Sequence, residues 1–322
     1  MVSERDIEHA VTILRDGGLV AFPTETVYGL GCDAQNLSAL ARLYAVKGRP
    51  PEHPVIVHLP SATALPAWAS AVPSAARTLA DACWPGPLTI VVPRAAHVPD
   101  AVTGGRESVA LRVPDQRVAL ALLTAFAGGL AAPSANRFGC VSPTTAADVV
   151  ADLGGDVDRV LDDGPCRVGV ESTIVDCTGD EPVILRVGAY PQGELEGLLG
   201  QPIALQIDGQ RAAPGTLPVH YSPDACVVIV DEHNATAEIA ASIASGQRVG
   251  VLALDPPIGL TPDVVVLEPP KSIDDYAHVL YARLREADRL GLDVLFAVAP
   301  PAQGLGAAVA DRLRRAAGKS NK

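Results

Sequence analysis

Lysine is nearly missing from this sequence. Its 322 residues hold four lysines, at positions 47, 271, 319 and 322, against twenty-one arginines. Positive charge as a whole is short, with 25 Lys+Arg against 37 Asp+Glu and a formal net charge of −12. That balance argues against a broad electrostatic grip on nucleic acid and leaves any polyanion to a few local cations. Cysteine supplies no framework either. Cys32, Cys83, Cys140, Cys166, Cys177 and Cys226 include no C-x-x-C pair, and no histidine cluster accompanies them. Neither a zinc site nor a disulfide scaffold is expected; buried free thiols in a reducing compartment are. No apolar run approaches a membrane span. The opening Met1-Val2-Ser3-Glu4-Arg5-Asp6 has neither a basic n-region nor an apolar h-region. The expectation is a soluble, cytoplasmic protein.

Internal repeats and a Walker A sequence are absent as well, and no nucleophile–base arrangement stands out. What is present is 48% hydrophobic and 19% charged residues, the composition of an ordinary globular protein long enough for two cores.

One stretch, Leu19 to His58, organises the chain. A short apolar strand, Leu19-Val20-Ala21-Phe22, breaks into Pro23-Thr24-Glu25-Thr26-Val27-Tyr28-Gly29-Leu30-Gly31. A helix is predicted from about Ser38, with Leu40, Leu43 and Tyr44 on its inner face. Gly48 reads as its C-cap, and Pro50 and Pro51 prevent continuation. Lys47 and Arg49 thus leave the helix end on a stiff loop, and Val55–Leu59 is expected to return beside the first strand. Lys47 is the only lysine in the first 270 residues. An ammonium approaches one phosphate oxygen as a point charge, where guanidinium forks across two. A helix-terminal lysine also sits well against the helix dipole, and composition leaves the two readings open.

Along the chain, helices are expected at 3–16, 75–84, 116–127 and 145–153. Strands are expected at 88–92, 108–113, 130–132 and 159–161, with a hairpin from 172–177 and 183–187. In the strand Ser108–Val113, Val109, Leu111 and Val113 face a core and leave Ser108, Ala110 and Arg112 on the other side. Pro191 to about Pro223 is rich in Gly and Pro and reads as an irregular linker. Beyond it, strands and helices alternate regularly, which implies a small parallel α/β domain. Gly304-Leu305-Gly306 imitates a dinucleotide fingerprint, but too little chain follows it, and it reads as a helix start.

Several residues carry possible chemistry. Arg112 and Arg186 lie in apolar strands and need an anion, from the protein or from a ligand. Pro133-Ser134-Ala135-Asn136 follows a strand, where ligands favour α/β sheets, though it is also an ordinary Asx or Ser turn. Ser142-Pro143-Thr144-Thr145 is open between a ligand contact and a helix cap. His58 is open between a core histidine and a ligand contact, and Glu25 between a general base and turn chemistry. Collected cations, hydroxyls and an amide suit positioning and charge neutralisation, as nucleotidyl transfer requires.

In order, PTETVYGLG (23–31), KGRP (47–50), Pro54–His58, WPGPL (84–88), PSAN (133–136), ESTIVD (171–176), Leu185-Arg186, the segment 214–223 and residues 280–285 and 304–306 resemble the YrdC-like threonylcarbamoyl-AMP synthases in their longer form. The resemblance covers nearly the whole chain. It implies an α/β fold, with a YrdC-like catalytic domain at 1–200 built on a twisted mixed sheet with helices. A linker or lid at 201–223 would follow, then a Rossmann-like parallel α/β domain at 224–322. It implies conversion of L-threonine, bicarbonate and ATP to threonylcarbamoyl-adenylate and pyrophosphate. The product would feed a tRNA threonylcarbamoyl transferase complex that modifies the adenosine beside the anticodon. Lys47 and Arg49 would be catalytic. ATP would meet Lys47, Arg49, His53, Ser108, Ser134, Asn136, Ser142, Arg186, Thr216, His220 and Tyr221. Threonine would meet Thr26, His58, Arg112, Ala132 and Ser172. Magnesium would bridge phosphates, with no protein cage for a metal. His53 stands where the family often has asparagine, Val187 where proline commonly follows the arginine, and Val55 where leucine is usual. A nucleotide- or RNA-binding regulatory protein without turnover is the other class these residues allow. The acidic net charge gives no indication of a direct tRNA contact.

Overall fold

The computed structural model describes residues 2–206 and 221–318. The chain divides into two compact units. One comprises Met1–Phe138, Ser142–Arg167 and Glu171–Thr216, the other Gly139–Val141, Val168–Val170 and Leu217–Lys322.

The strands of the first unit are β1 (Val20–Phe22), β2 (Gly29–Asp33), β3 (Ile56–His58), β4 (Leu88–Pro93), β5 (Ser108–Arg112), β6 (Leu130–Ala131), β7 (Arg159–Val160), β8 (Thr173–Asp176), β9 (Val183–Arg186) and β10 (Ala204–Leu205). They form one mixed sheet in the order β10-β9-β8-β4-β5-β3-β6-β2-β1-β7. The twisted mixed sheet expected from the sequence is therefore present, and helices pack on it.

Local chemistry sets the helix ends. The first helix, Glu4–Arg15, starts at a capping box in which Ser3 and Asp6 satisfy each other's backbone N–H groups. Its buried Ile7, Ala10, Val11 and Leu14 join Val118, Leu122 and Leu123 of helix Arg117–Phe126 in one cluster. The helix Leu37–Lys47 begins where Asn36 accepts from the Ser38 and Ala39 amides and ends at Gly48, whose φ of +63° suits glycine.

Three expectations fail. Gly29–Asp33 is a strand, although the stretch 23–31 reads as a break between the first strand and the helix. The physical reason at Gly31 is close approach: a Cβ there would come within 2.7 Å of the Phe22 ring. Because β2 and β6 intervene, β3 does not lie beside β1 but pairs with β5 and β6. The stretch expected to be irregular from Pro191 holds a helix, Gln192–Leu199, and β10. Its glycines at 193 and 197 meet nothing within 4 Å, so they weaken the helical signal without blocking the helix.

The second unit contains β11 (Cys226–Ile229), β12 (Val249–Leu252), β13 (Val265–Val266) and β14 (Val294–Ala297), all parallel, in the order β11-β14-β12-β13. The alternating pattern read from the sequence gives that sheet. Gly304 is the N-cap of the helix Leu305–Ala317. A Cβ at Gly306 would meet the Pro301 carbonyl at 2.0 Å, so this glycine serves packing at a helix start. Among the described residues no helix is long and apolar enough to cross a membrane.

Candidate functional site

The central strands of the first unit carry two different faces. Val57, Ile90, Val109, Leu111 and Val113 enter the main core, and Ile56, Val91, Ala110, Ile174 and Leu185 form a smaller cluster. Side chains alternate along a strand, so His58, Thr89 and Arg112 share the face of the smaller cluster. The sides expected for Ser108–Val113 are thus the observed ones. Parallel pairing of β3 and β5 sets His58 opposite Arg112.

Arg112 is buried, and its anion within the chain is Glu25. The Arg112 Nη2 to Glu25 Oε1 distance is 2.8 Å, with the carboxylate side chain fully enclosed. The same Nη2 donates to Thr26 Oγ1 at 3.0 Å, and Nε donates to the Gly86 carbonyl at 3.3 Å. Thr24 Oγ1 donates to the Val27 carbonyl at 2.6 Å, so in its 2.9 Å contact with Thr26 it accepts. The Thr26 hydroxyl therefore donates to Thr24 and accepts from Arg112, which fixes its rotor. Neither oxygen of Glu25 has a hydrogen bond, since the Arg112 contact is close but off the N–H line.

His58 is buried with Nδ1 lacking a hydrogen bond. Burial, reinforced by the Arg112 charge, pushes its imidazole down to about 3. It is a neutral ring at any physiological pH.

A second knot lies on β8 and β9. Arg186 is buried and donates to the Ser172 carbonyl from Nε at 3.1 Å and from Nη2 at 2.8 Å, and to Ser172 Oγ at 3.0 Å. Ser172 Oγ lies 2.8 Å from Thr89 Oγ1. Register joins these groups, because Thr89 pairs with Ile174 and Ile174 with Arg186. Beside them Ser142 Oγ donates to Glu171 Oε1 at 2.7 Å. Gly188 packs so closely that a Cβ would come within 2.4 Å of the Glu171 carbonyl oxygen.

The third group gathers around the helix end. Lys47 Nζ is buried and donates at 2.5 Å to the carbonyls of both Ser134 and Asn136. The Phe138 amide returns a 2.8 Å bond to the Lys47 carbonyl. Lys47 thus does more than face a helix dipole: it braces the loop 133–138. Arg49 donates to the carbonyls of His53 at 3.3 Å and Pro54 at 2.8 Å, and its guanidinium lies 5.5 Å from the Phe138 ring centroid. His53 sets its ring edge-on to the same Phe138, and burial lowers its pKa first, the Arg49 charge second.

The remaining residues separate. Ala132 is buried and donates its amide to the Ile56 carbonyl, next to β3. Ser108 is half-buried at the far end of β5, roughly 13 Å along the strand from Arg112. Tyr221 belongs to the second unit, where its ring is buried 5.6 Å from Tyr281 and 5.2 Å from the Arg312 guanidinium. Thr216 and His220, with most of the expected lid, lie outside the described residues. Among the described residues no group of three His, Cys, Asp or Glu side chains is placed to hold a metal ion. Sequence reasoning gave no role to Thr89, Phe138 and Glu171 and left Glu25 open between a general base and turn chemistry. Alternation along β4 could have flagged Thr89, whereas Phe138 gives no signal outside its contacts.

Lys47, Arg49, Arg112 and Arg186 are all buried, as are the carboxylates of Glu25, Glu171 and Asp176. Enclosed charges of both signs are kept where they are paired or receive a charged ligand, and these cluster on the face that carries His58 and Arg112. Comparison with known proteins gives that face a context. A family model described as "telomere recombination" and spanning the Sua5, YciO and YrdC proteins matches residues 12–188. The chain belongs to the Sua5–YciO–YrdC family. A second model, "Threonylcarbamoyl-AMP synthase, C-terminal domain", matches residues 191–318. The threonylcarbamoyl-AMP synthase of Pyrococcus abyssi is 39% identical over 98% of this chain and 95% of its own. That of Bacillus subtilis is 37% identical over 98% of this chain and 94% of its own. The crystal structure of P. abyssi Sua5 complexed with L-threonine has a TM-score of 0.93 at 39% identity, covering 99% of this chain and 96% of that one. The likeness thus spans both units of this Sua5–YciO–YrdC family member.

Proposed function

We propose that this chain is a threonylcarbamoyl-AMP synthase, a nucleotidyltransferase that converts L-threonine, bicarbonate and ATP to L-threonylcarbamoyladenylate, pyrophosphate and water. The observation that carries the reading is the full-length likeness to synthases of that name, one of them solved with threonine bound. The geometry is compatible. Carbamate forms when the threonine amine condenses with bicarbonate and releases water. A carbamate oxygen then attacks the α-phosphorus and pyrophosphate leaves.

In this reading Lys47, Arg49 and Arg186, with Ser134, Asn136, Ser142, His53 and Ser108, receive ATP. Arg112, with Thr26, His58, Ala132 and Ser172, receives threonine. Thr216 and His220 would add to the nucleotide site from the linker, while the Tyr221 ring packs against Tyr281 within the second unit. Lys47 and Arg49 neutralise charge building on the phosphates in an enclosed setting, where preorganised cations act most strongly. Magnesium would enter on the triphosphate and supply further charge neutralisation there. The fixed Thr26 rotor and the neutral His58 offer hydrogen bonds that need no proton rearrangement on binding. The adenylate would pass to a cytoplasmic enzyme complex that transfers the threonylcarbamoyl group to tRNA adenosine. Pyrophosphate release tests the reading: it should need ATP, threonine and bicarbonate together. Release from ATP alone, or none at all, would refute it.

A further inference from the structure

Glu25 is the group that the resemblance leaves without a role. It is buried and beside the arginine proposed to hold the amino-acid carboxylate, yet neither of its oxygens accepts a hydrogen bond. Thr24, its neighbour, is fully engaged within the loop through the Val27 carbonyl and the Thr26 and Val27 amides. A structural carboxylate in such a turn would ordinarily take those amides itself. A buried carboxylate with unfilled acceptors is costly, and the cost falls away when a donor arrives.

We propose that Glu25 is the specificity-determining partner of the substrate's α-ammonium. The Glu25–Arg112 pair is then a template for a zwitterion. A free amino acid carries a carboxylate and an ammonium on one carbon, and the pair offers a guanidinium and a carboxylate in contact at 2.8 Å. As the substrate's carboxylate engages Arg112, Glu25 gives up that cation and gains the ammonium, so no charge is left uncompensated at any stage. The ammonium's N–H donors fill the acceptors that the protein leaves open. Glu25 also stands where a proton must go. The ammonium yields one proton to the carboxylate, R–NH3+ and Glu–COO− becoming R–NH2 and Glu–COOH, and the free amine condenses with bicarbonate to give carbamate and water. The carboxyl group returns its proton to solvent after the product leaves.

This inference rests on the proposed threonine site, and its test separates the two. Calorimetry would compare L-threonine with 3-hydroxybutyrate, which keeps the carboxylate and hydroxyl but lacks the ammonium, on the full-length wild type and on Glu25→Gln. The wild type should prefer threonine by about 10- to 100-fold, the range for a hydrogen bond to a charged group. Glu25→Gln should lose most of that preference while binding 3-hydroxybutyrate as the wild type does. Equal weakening of both ligands would make Glu25 a brace for Arg112 and overturn the proposal. A wild type that binds both ligands equally would overturn it without any variant, whatever the fold of Glu25→Gln. A wild type that binds no threonine and makes no adenylate would instead overturn the synthase reading.

Discussion

His58 and Arg112 occupy partnered positions on the adjacent parallel strands β3 and β5, one a neutral ring and the other a permanent cation. The arginine and the burial together forbid a second positive charge beside it. The unfolded chain binds a proton at His58 near its ordinary value of 6.5, whereas the folded chain resists until about 3. Between those limits the unfolded state holds more protons, so stability falls as pH falls. The expected slope from this residue is about 1.4 kcal/mol per pH unit across that window and is flat above it. Denaturant unfolding at several pH values should show a shallower acid limb in His58→Gln. An unchanged limb would mean that His58 is protonated in the folded protein.

Lys47→Ala should lower adenylate formation roughly a hundredfold or more, the scale for removing one preorganised charge-stabilising donor. Its bonds to the Ser134 and Asn136 carbonyls add a structural cost, roughly 1–3 kcal/mol for each buried acceptor left unpaired. The variant should still fold, with a lower melting temperature. Lys47→Arg should also be impaired, because a planar fork cannot replace a compact ammonium between two carbonyls. Turnover near the wild-type rate in a folded Lys47→Ala would remove it from the phosphate site.

Arg112→Ala should weaken threonine binding and leave ATP binding largely intact, and Arg186→Ala should do the reverse. Arg112 contacts Glu25 and Thr26, whereas Arg186 touches the threonine group only through Ser172, so its removal should cost less threonine affinity than ATP affinity. Arg112→Ala also strands Glu25, a loss of about 3–5 kcal/mol for a broken buried pair, so folding must be checked first. Separate calorimetric titrations would measure each affinity. Equal losses of both ligands in either variant would contradict the division.

Gly188→Ala should impair ATP binding from a position bearing no side chain. The new methyl would collide with the Glu171 and Ser172 backbone; the Glu171 carboxylate accepts from Ser142, and the Ser172 carbonyl accepts from Arg186. The affinity for ATP should drop while threonine affinity changes less. Wild-type nucleotide affinity in this variant would show that the backbone there yields without disturbing the cluster.

Much of the fold is legible in the sequence because its signals are local. Ser3 and Thr145 announce helix starts, and Val109, Leu111 and Val113 give one face of β5. The strand at Gly29–Asp33 was hidden because its glycines answer to Phe22, a contact set by pairing with β1. Arg112 and Arg186 were visible as cations in apolar strands, but the partners Glu25 and Ser172 depend on folding. Phe138, which lies against both Arg49 and His53, was invisible for the same reason.

The central claim is the reaction itself, and isotope labelling tests it most directly. The full-length chain, incubated with ATP, L-threonine and carbon-13 bicarbonate, should yield an adenylate containing threonine and one labelled carbon, with pyrophosphate in equal amount. Omitting threonine or bicarbonate should abolish it. An unlabelled adenylate, or ATP consumption that continues without threonine, would contradict the account.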